Sequence, residues 1–371
     1  MDVTPFFRLM AEKGASDLFF SVGAPPNIKI EGSTSAIGQA PIVSQQMAEL
    51  FLSITNDAQQ QEFQATMELN MAIAVNGVGR FRVNVFRQRG EMAMVVRFIK
   101  GEIPSIEALQ LPLLLKSIVM ELRGLVLVVG STGSGKSTTL ASMIDYRNQN
   151  HHGHILTIED PIEYLHQHKK SIVDQREIGI DTFSYDNALK NALREAPDVI
   201  LIGEIRECSA MKHAIAYAET GHLCISTLHA NNASQTLDRI VNFFPEEAKQ
   251  QVLMDLSLNL RAIISLRLIP GINNQRIPAV EILLNSPYVS DLIEKGKIDE
   301  IKEVMTRSTE QGMQTFDKAL LKLYKEGKIT KENAINYADS KNNVSLEVRL
   351  GEELSPGSEQ EQLVIQPDEK L

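Results

Sequence analysis

The sequence predicts an α/β protein with a small α+β N-terminal domain and a larger domain built on a mostly parallel sheet. The chain has 371 residues, enough for two domains at about 150 residues each. Its hydrophobic pattern also changes near residue 113. Before that point short apolar runs alternate with turn residues, and after it apolar strands alternate with helix-forming stretches.

Residues 1–100 have the pattern of a small mixed sheet. Runs such as DLFFSVG, PPNIKIEG and MAMVVRFI are short, apolar with a period of two, and separated by Gly and Pro. The stretch 44–65 predicts one helix within this domain. The segment 101–112, GEIPSIEALQLP, contains two prolines and a shift in polarity, so it is predicted to be a linker.

The second domain is predicted to cover residues 113–340. Strands are expected at 125–129, 155–158, 199–202 and 223–227, and helices at 135–148, 184–195 and 209–219. This alternation is typical of a mostly parallel sheet with helices on both faces. A hairpin ending in IPAVEILL and a helix-rich stretch at 287–338 follow. Residues 341–371 are acidic and aperiodic and predict a flexible tail, because they offer too little apolar surface to bury.

Composition narrows the classes of function. The formal charge is −10, which argues against a chain that wraps nucleic acid through a large basic surface. The two cysteines, Cys208 and Cys224, cannot form a disulfide framework or a four-cysteine zinc site by themselves. The N-terminus lacks the pattern of a signal peptide, and no apolar run approaches the ~20 residues of a spanning helix. A cytoplasmic protein without direct membrane insertion is therefore expected.

The strongest motif is a phosphate-binding loop between a buried strand and a helix. Its sequence matches G-x-x-x-x-G-K-[ST] in full through Gly130, Ser131, Thr132, Gly133, Ser134, Gly135, Lys136 and Ser137, with Thr138 beside it. The glycines let backbone N–H groups turn toward phosphates at the N-terminus of the helix. Lys136 is expected to reach the β- and γ-phosphates of ATP, and the Ser137 hydroxyl to ligate Mg²⁺.

Acidic residues follow two of the predicted strands. Glu159, Asp160 and Glu163 follow the strand 155–158, and Glu204 follows the strand 199–202. Nucleotide chemistry on such sheets takes place beyond the carboxyl ends of the strands. These carboxylates are therefore candidates for holding Mg²⁺ or for orienting the attacking water, and their spacing leaves the division of roles open.

The histidines give weaker signals. The tract HHGH at 151–154 lies in a polar turn and is interpreted as an exposed loop rather than as a metal site. His222 and His229 stand at the two ends of the predicted strand 223–227, too far apart to share a metal. Taken alone, they are interpreted as separate polar contacts.

Four motifs together resemble those of the hexameric secretion ATPases and, within them, of the type IV pilus retraction ATPases PilT and PilU. GSTGSGKSTTLASMI is similar to the family's phosphate loop, ILTIEDPIEYLH to its Asp box, PDVILIGEIRE to its Walker B segment and AETGHLCISTLHANNA to its His box. The resemblance implies a PAS-like N-terminal domain and a RecA-like ATPase domain. It also implies a homo-hexamer at the cytoplasmic face of the inner membrane, with PilT and a membrane platform protein as partners and no nucleic acid.

The resemblance further implies roles for individual residues. Glu163 matches the catalytic glutamate of the Asp box, and Glu204 matches the Walker B glutamate that holds Mg²⁺. His222 and His229 match the His-box pair near the γ-phosphate and the domain interface. Arg82 and Arg97 match N-terminal arginines that approach the nucleotide. Without the resemblance, the stretch RFRVNVFRQR that contains Arg82 would be interpreted as a strand with a solvated basic face.

Within the family the sequence resembles PilU more than PilT. The segment 288–297, YVSDLIEKGK, departs from the AIRNLIRE-like helix of PilT, and the acidic tail is also uncharacteristic of PilT. The resemblance therefore predicts a motor that powers or assists pilus retraction. Two alternatives stay open: a ring that binds ATP and couples to PilT with little hydrolysis of its own, and a different P-loop enzyme such as a kinase or a nucleic-acid translocase.

Overall fold

A computed structural model describes residues 3–30, 32–99, 101–273, 275–308 and 312–353 of the chain. The described residues form two β-sheets, one of six strands and one of seven. Each sheet carries hydrophobic clusters of its own. No helix in these ranges is long and apolar enough to cross a membrane.

The six-stranded sheet is antiparallel, with the strand order β3-β2-β1-β6-β5-β4. Its strands are β1 (Asp17–Ser21), β2 (Asn27–Ile30), β3 (Ser33–Ala36), β4 (Glu68–Val75), β5 (Gly79–Gln88) and β6 (Glu91–Ile99). Alternate residues of β5 are buried, because a strand turns successive side chains to opposite faces. Helix α1 (Thr4–Glu12) packs on the buried face, where the Phe7 ring stacks on Phe81 at 4.4 Å between centroids.

The single helix predicted at 44–65 is wrong, because the chain forms two helices there. These are α2 (Ser44–Ile54) and α3 (Asp57–Thr66). Thr55 and Asn56 take extended backbone conformations, and the Asn56 side chain accepts a hydrogen bond from the Gln59 N–H at 2.9 Å. This N-cap begins a new helix where the hydrophobic periodicity alone suggested continuation.

The seven-stranded sheet has the order β13-β12-β7-β11-β10-β8-β9, and every neighbouring pair is parallel except β12 and β13. Its strands are β7 (Gly124–Gly130), β8 (Gly153–Glu159), β9 (Ser171–Glu177), β10 (Val199–Ile202), β11 (Leu223–Leu228), β12 (Leu260–Pro270) and β13 (Arg276–Leu284). The four predicted strands and the predicted hairpin are confirmed. The edge strand β9 was not predicted, because polar residues interrupt its apolar pattern.

Helices cover both faces of this sheet, as predicted. They are α4 (Leu114–Val119), α5 (Lys136–Asn150), α6 (Tyr185–Ala192), α7 (Cys208–Glu219), α8 (Ala233–Asn242) and α9 (Lys249–Asn259). One face buries Leu125 and Leu127 of β7, and the other buries Val126 and Val128. Burial on both faces explains why β7 reads as a continuous apolar run.

The α-helices that follow the sheet in the described ranges are α10 (Pro287–Glu294), α11 (Ile301–Arg307), α12 (Phe316–Lys325), α13 (Lys331–Asn336) and α14 (Lys341–Glu353). The first four confirm the predicted helix-rich stretch. Helix α14 contradicts the prediction of a flexible tail over its own length, because Val344 and Val348 are buried against the cluster around Phe316 and Leu320. The rest of the predicted tail lies outside the described residues.

The predicted linker 101–112 is partly fixed to the second sheet. Ile106 and Leu111 are buried in the same cluster as Val126 and Val128 of β7. The N–H of Leu111 also donates to the Ile106 carbonyl at 3.0 Å. Any hinge between the two sheets therefore falls before Ile106. The division into domains at 1–100, 101–112 and 113–340 stays a prediction.

Candidate nucleotide site

The glycine-rich loop joins the end of β7 to the start of α5. Gly130 has φ of 154°. A methyl group at its Cα would lie 2.4 Å from Ser134 Oγ and 2.7 Å from the Leu266 carbonyl oxygen. Gly133 and Gly135 also have positive φ, but a methyl group at either would meet no atom within 4 Å. Only glycine fits at Gly130, where the loop packs against β12.

Lys136 folds back over this loop. Its Nζ donates to the carbonyl oxygens of Gly130 at 3.0 Å and Ser131 at 3.1 Å. Burial lowers the pKa of Lys136, while Glu204 and Glu163 act in the opposite direction. The ammonium group is thus held beside the loop in reach of the acidic residues, as a lysine that binds phosphate requires.

A cavity of about 220 Å³ lies beside the loop at the carboxyl edge of the sheet. Its wall includes Thr132, Gly133, Lys136 and Ser137 from the loop, Glu159, Asp160, Glu163 and Tyr164 at the end of β8, Glu204 and Arg206 after β10, and His229 after β11. Parallel strands end at the same edge, so residues far apart in sequence meet there. The structure therefore brings together seven of the predicted site residues: Thr132, Gly133, Lys136, Ser137, Glu163, Glu204 and His229.

Glu204 forms the centre of a polar network in this cavity. Its Oε1 lies 2.8 Å from His229 Nε2, and its Oε2 accepts a hydrogen bond from Arg206 Nε at 2.6 Å. Arg206 also lies 4.0 Å from Asp160. By contrast, the exposed Glu163 carboxylate has no hydrogen-bond or ion-pair partner in the part of the chain that the structure describes. Glu163 is therefore available to a water or a ligand, and Glu204 is held in place.

The two predicted arginines have different positions. Arg82 Nη2 lies 3.6 Å from Glu177 Oε1, which joins strand β5 of the first sheet to strand β9 of the second. Burial lowers the pKa of Arg82, and the charges of Glu177, Asp160 and Glu163 oppose that effect. Arg82 thus reaches the acidic margin of the cavity. Arg97 stands opposite Arg82 in the sheet but binds Asp17 at 2.8 Å, and its side chain is 63% exposed.

His222 does not reach the cavity. It precedes the start of β11, where its carbonyl accepts a hydrogen bond from the Gly124 N–H at the start of β7. Its Nδ1 contacts Thr220 Oγ1 at 3.1 Å. The loop lies at the other end of β7, roughly 23 Å away along an extended strand. A position of His222 near the γ-phosphate held by its own chain is therefore excluded, and the separate roles deduced from spacing fit better.

Three of the remaining loop residues border a second cavity, of about 480 Å³, whereas Gly130 and Ser131 line neither cavity. Ser134, Gly135 and Thr138 form one side of it. The opposite sides carry apolar side chains from the predicted linker and the β12–β13 hairpin, namely Leu109, Leu111, Leu266, Leu268 and Pro278. The loop is therefore shared between a polar cavity and a more apolar one.

Tyr164 and Tyr185 line the cavity but were not predicted, whereas Glu159 was among the candidate carboxylates. The Tyr164 hydroxyl lies 2.9 Å from Thr138 Oγ1 and connects the segment after β8 to α5. Burial raises the pKa of the Glu159 carboxyl to about 7, although Thr157 and Gln175 donate hydrogen bonds to it. Burial also raises the pKa of Tyr185, whose hydroxyl would lie 3.1 Å from a methyl group at Gly203. Position in the motif ILTIEDPIEYLH could have indicated Tyr164, but no local signal marks Tyr185.

The residues present fit a magnesium nucleotide rather than a metal bound by protein alone. Among the described residues, no group of three or more His, Cys, Asp or Glu side chains could hold a metal ion. Mg²⁺ usually keeps several waters and takes one or two protein oxygens together with phosphates. The Ser137 hydroxyl and the Glu204 carboxylate supply oxygens of this kind at one cavity.

Comparison with known proteins gives the family. A model of the Type II/IV secretion system protein family matches residues 42–356. The chain belongs to this family. It is 52% identical to the type IV pilus ATPase PilU of Pseudomonas aeruginosa over 95% of this chain and 93% of that protein. It is 42% identical to the retraction ATPase PilT of the same organism, over 90% of this chain and 97% of PilT.

A solved structure supports the same assignment. The crystal structure of the pilus retraction motor PilT with bound ADP matches with a TM-score of 0.86 and 41% identity, over 92% of this chain and 98% of that one. The resemblance to the PilT and PilU branch of type IV pilus ATPases is thereby confirmed, as is the predicted fold class with its RecA-like ATPase domain. The identity to PilU exceeds that to PilT, in line with the departures at 288–297.

Proposed function

We propose that the chain is an ATP-hydrolysing motor that powers or assists type IV pilus retraction. The observation that carries the proposal is one cavity lined by the phosphate loop, Lys136, Glu163 and Glu204. The names of the related proteins support the biological setting: PilU is a type IV pilus ATPase and PilT a retraction ATPase. The ADP in the PilT structure supports a nucleotide at the equivalent site.

In this proposal the polyphosphate of ATP binds along the loop from Gly130 to Thr138. Backbone N–H groups and Lys136 hold the β- and γ-phosphates. The adenosine lies in the second cavity, because Ser134, Gly135 and Thr138 border it on the other side of the same loop. Its lining by Leu109 and Leu266 suits the apolar faces of a purine.

Ser137 and Glu204 would hold Mg²⁺, which supplies charge neutralisation on the transferring phosphoryl group. His229 and Arg206 fix the Glu204 carboxylate through contacts at 2.8 and 2.6 Å. Arg206 would have to release one carboxylate oxygen when a cation binds. His229 then keeps the carboxylate oriented from the end of β11.

Glu163 is proposed to orient or deprotonate the attacking water. Its carboxylate lines the cavity without a partner among the described residues, so a water can occupy its lone pairs. Arg82 neutralises charge on the γ-phosphoryl from the first sheet, because a guanidinium carries a fixed charge and several donors. Arg97 and His222 have no part in this mechanism within one chain, because Arg97 is paired with Asp17 at 2.8 Å and His222 lies at the start of β7, at the other edge of the sheet.

The chain is further proposed to work as a homo-hexamer at the cytoplasmic face of the inner membrane. Closure of the two sheets around ATP, and opening after hydrolysis, would pull on a membrane platform protein with PilT as partner. The alternative of a coupling partner with little hydrolysis is less favoured, because the lysine and both carboxylates converge on one cavity.

The proposal is tested with Glu163→Gln and Lys136→Ala. Glu163→Gln should bind a fluorescent ATP analogue nearly as well as the wild type, but its turnover should fall by about 100-fold or more because the water loses its base. Lys136→Ala should lose binding as well. Exposed Glu62 on α3 provides a matched control, Glu62→Gln, which should change neither quantity. A wild type that binds the analogue without any turnover would support the coupling-partner alternative instead.

A further inference from the structure

Strand β5 presents two arginines on the face away from the first sheet's core. Phe81, Val83 and Val85 point into that core and are buried. Arg80 and Arg82 alternate with them and therefore point to the opposite face. Both arginines exert an electrostatic influence on Glu177, the last residue of β9 in the second sheet. Glu177 thus forms an ion pair with Arg82 and is also under the charge of Arg80 where the sheets face each other.

Glu177 is an unusual residue for this position. It is only 3% exposed, and its Oε2 has no hydrogen-bond partner among the described residues. Burial raises its pKa, while Arg82, Arg80 and the backbone amide of Ile162 lower it. A buried carboxylate is costly unless it is paired, so the arginines of β5 are what keeps its charge in place.

The pairing leaves most of the Arg82 guanidinium free. Arg82 Nη2 lies 3.6 Å from Glu177 Oε1, beyond hydrogen-bond distance, and Arg82 donates no hydrogen bond to the part of the chain that is described. A guanidinium has five N–H donors in a rigid plane. The charges of Asp160 and Glu163, which line the nucleotide cavity, also act on Arg82. One edge of the group is therefore tethered, and the other donors remain for an anion in the cavity.

We infer that Glu177 is a positioning residue for ATP hydrolysis, which tethers Arg82 so that its free donors meet the γ-phosphate. This inference rests on the proposed function, because Glu177 would position the arginine, Arg82, that acts in the proposed mechanism. Arginine side chains lose considerable rotamer freedom when fixed, and a carboxylate behind the guanidinium removes that cost before the reaction.

A purely structural role for Glu177 makes a different prediction. The Ile162 amide lies near the Glu177 carboxylate and immediately before Glu163, so Glu177 could instead support the segment after β8. Glu177→Gln keeps an acceptor oxygen for that amide but removes the charge that attracts Arg82. A support for the Ile162 segment would operate whether or not Arg82 is present.

The test is a double-mutant cycle on the full chain, with Glu177→Gln and Arg82→Ala measured singly and together. Glu177→Gln should lower kcat about tenfold and change KM for ATP by less than about threefold, because the tether acts on the transition state. In the Arg82→Ala background the same change should alter kcat by less than about twofold. Asp174→Asn on the same strand, which removes an equal charge from an exposed side chain, should leave kcat unchanged.

Each other outcome overturns the assignment. An equal tenfold loss with and without Arg82 would mean that Glu177 acts elsewhere, and unchanged kcat in Glu177→Gln would mean that no tether is needed. If Glu177→Gln does not fold, Glu177→Asp replaces it, since it retains the charge on a shorter side chain. Glu177→Asp should also lower kcat when Arg82 is present and leave kcat nearly unchanged in the Arg82→Ala background. If the wild type hydrolyses ATP and Arg82→Ala has the same kcat, then Arg82 does not contribute to hydrolysis and Glu177 cannot act through it. A wild type without turnover overturns the proposed function, and this assignment with it.

Discussion

Glu281 allows a quantitative prediction about stability and pH. This residue of β13 is 2% exposed, and its Oε1 accepts hydrogen bonds from the Ala233 N–H at 2.8 Å and the Ser265 hydroxyl at 3.1 Å. Burial raises the pKa of Glu281 from 4.5 to about 7, an effect that Asp339 reinforces and Arg267 opposes. The carboxyl caps α8, which begins four residues after His229.

The sign of the pH effect follows from where the proton is held. Between pH 4.5 and about 7 the folded chain keeps the Glu281 proton that the unfolded chain releases. The contribution of Glu281 to stability is thus fully present below pH 4.5 and is lost as pH rises to about 7. A difference of about 2.5 between the two pKa values corresponds to about 3 kcal/mol. Glu281→Gln, which keeps the acceptor oxygen but cannot ionise, should remove this loss.

The assay is urea unfolding followed by far-ultraviolet circular dichroism at pH 5 and pH 8, since the chain has no tryptophan. The wild type should lose about 2 kcal/mol more stability between these values than Glu281→Gln does. Glu159 and other carboxyls contribute equally to both proteins and cancel in the comparison. Glu303→Gln, at a side chain that is 65% exposed, serves as the control and should follow the wild type. Parallel behaviour of Glu281→Gln and the wild type would refute the reasoning.

Two further substitutions probe the loop and the last described helix. Gly130→Ala should destabilise the fold by about 3 kcal/mol and abolish ATP binding. Gly133→Ala should destabilise it by only about 1 kcal/mol, because only the first substitution adds a steric clash to the backbone strain. Equal losses of stability in thermal melts of the two variants would contradict this prediction. Val344→Ala should cost about 2 kcal/mol because it leaves a cavity beneath α14, whereas Leu346→Ala, at a side chain that is 58% exposed, should be nearly neutral. Identical melting temperatures for these two variants would mean that α14 does not pack as the structure has it.

The parts of the site that the sequence predicted are those that local patterns determine. The phosphate loop is recognised by the spacing of its residues. The strand before it is recognised by its continuous apolar run, which arises because both faces of that strand are buried. Glu163, Glu204 and His229 could be expected at one edge because parallel strands end together. This expectation required only that the strands be parallel. The roles of the two carboxylates came only from the family resemblance.

The rest depends on contacts between distant segments. Glu177 is the last residue of β9, a strand that was not predicted because polar residues interrupt its apolar pattern, and its partner Arg82 lies in the other sheet. A sequence pattern within one segment cannot show that Glu177 and Arg82 pair, because the two residues lie in different sheets. Helix α14 was missed for a related reason, because its charged composition suggested a solvated tail while Val344 and Val348 are buried against the helices before it. The resemblance placed the pair His222 and His229 near the γ-phosphate and the domain interface, but within one chain His222 lies at the other edge of the sheet, at the start of β7.

If the proposed homo-hexamer is the working form of this chain, its hydrolysis of ATP should depend on ring assembly. The most direct measurement is ATP turnover per chain over a wide range of protein concentrations, with Glu163→Ala as the background. The account predicts a rate that rises steeply with concentration in the wild type and is absent from the variant. A rate per chain that stays constant with dilution would mean that each site works alone. No turnover at any concentration would contradict the account altogether.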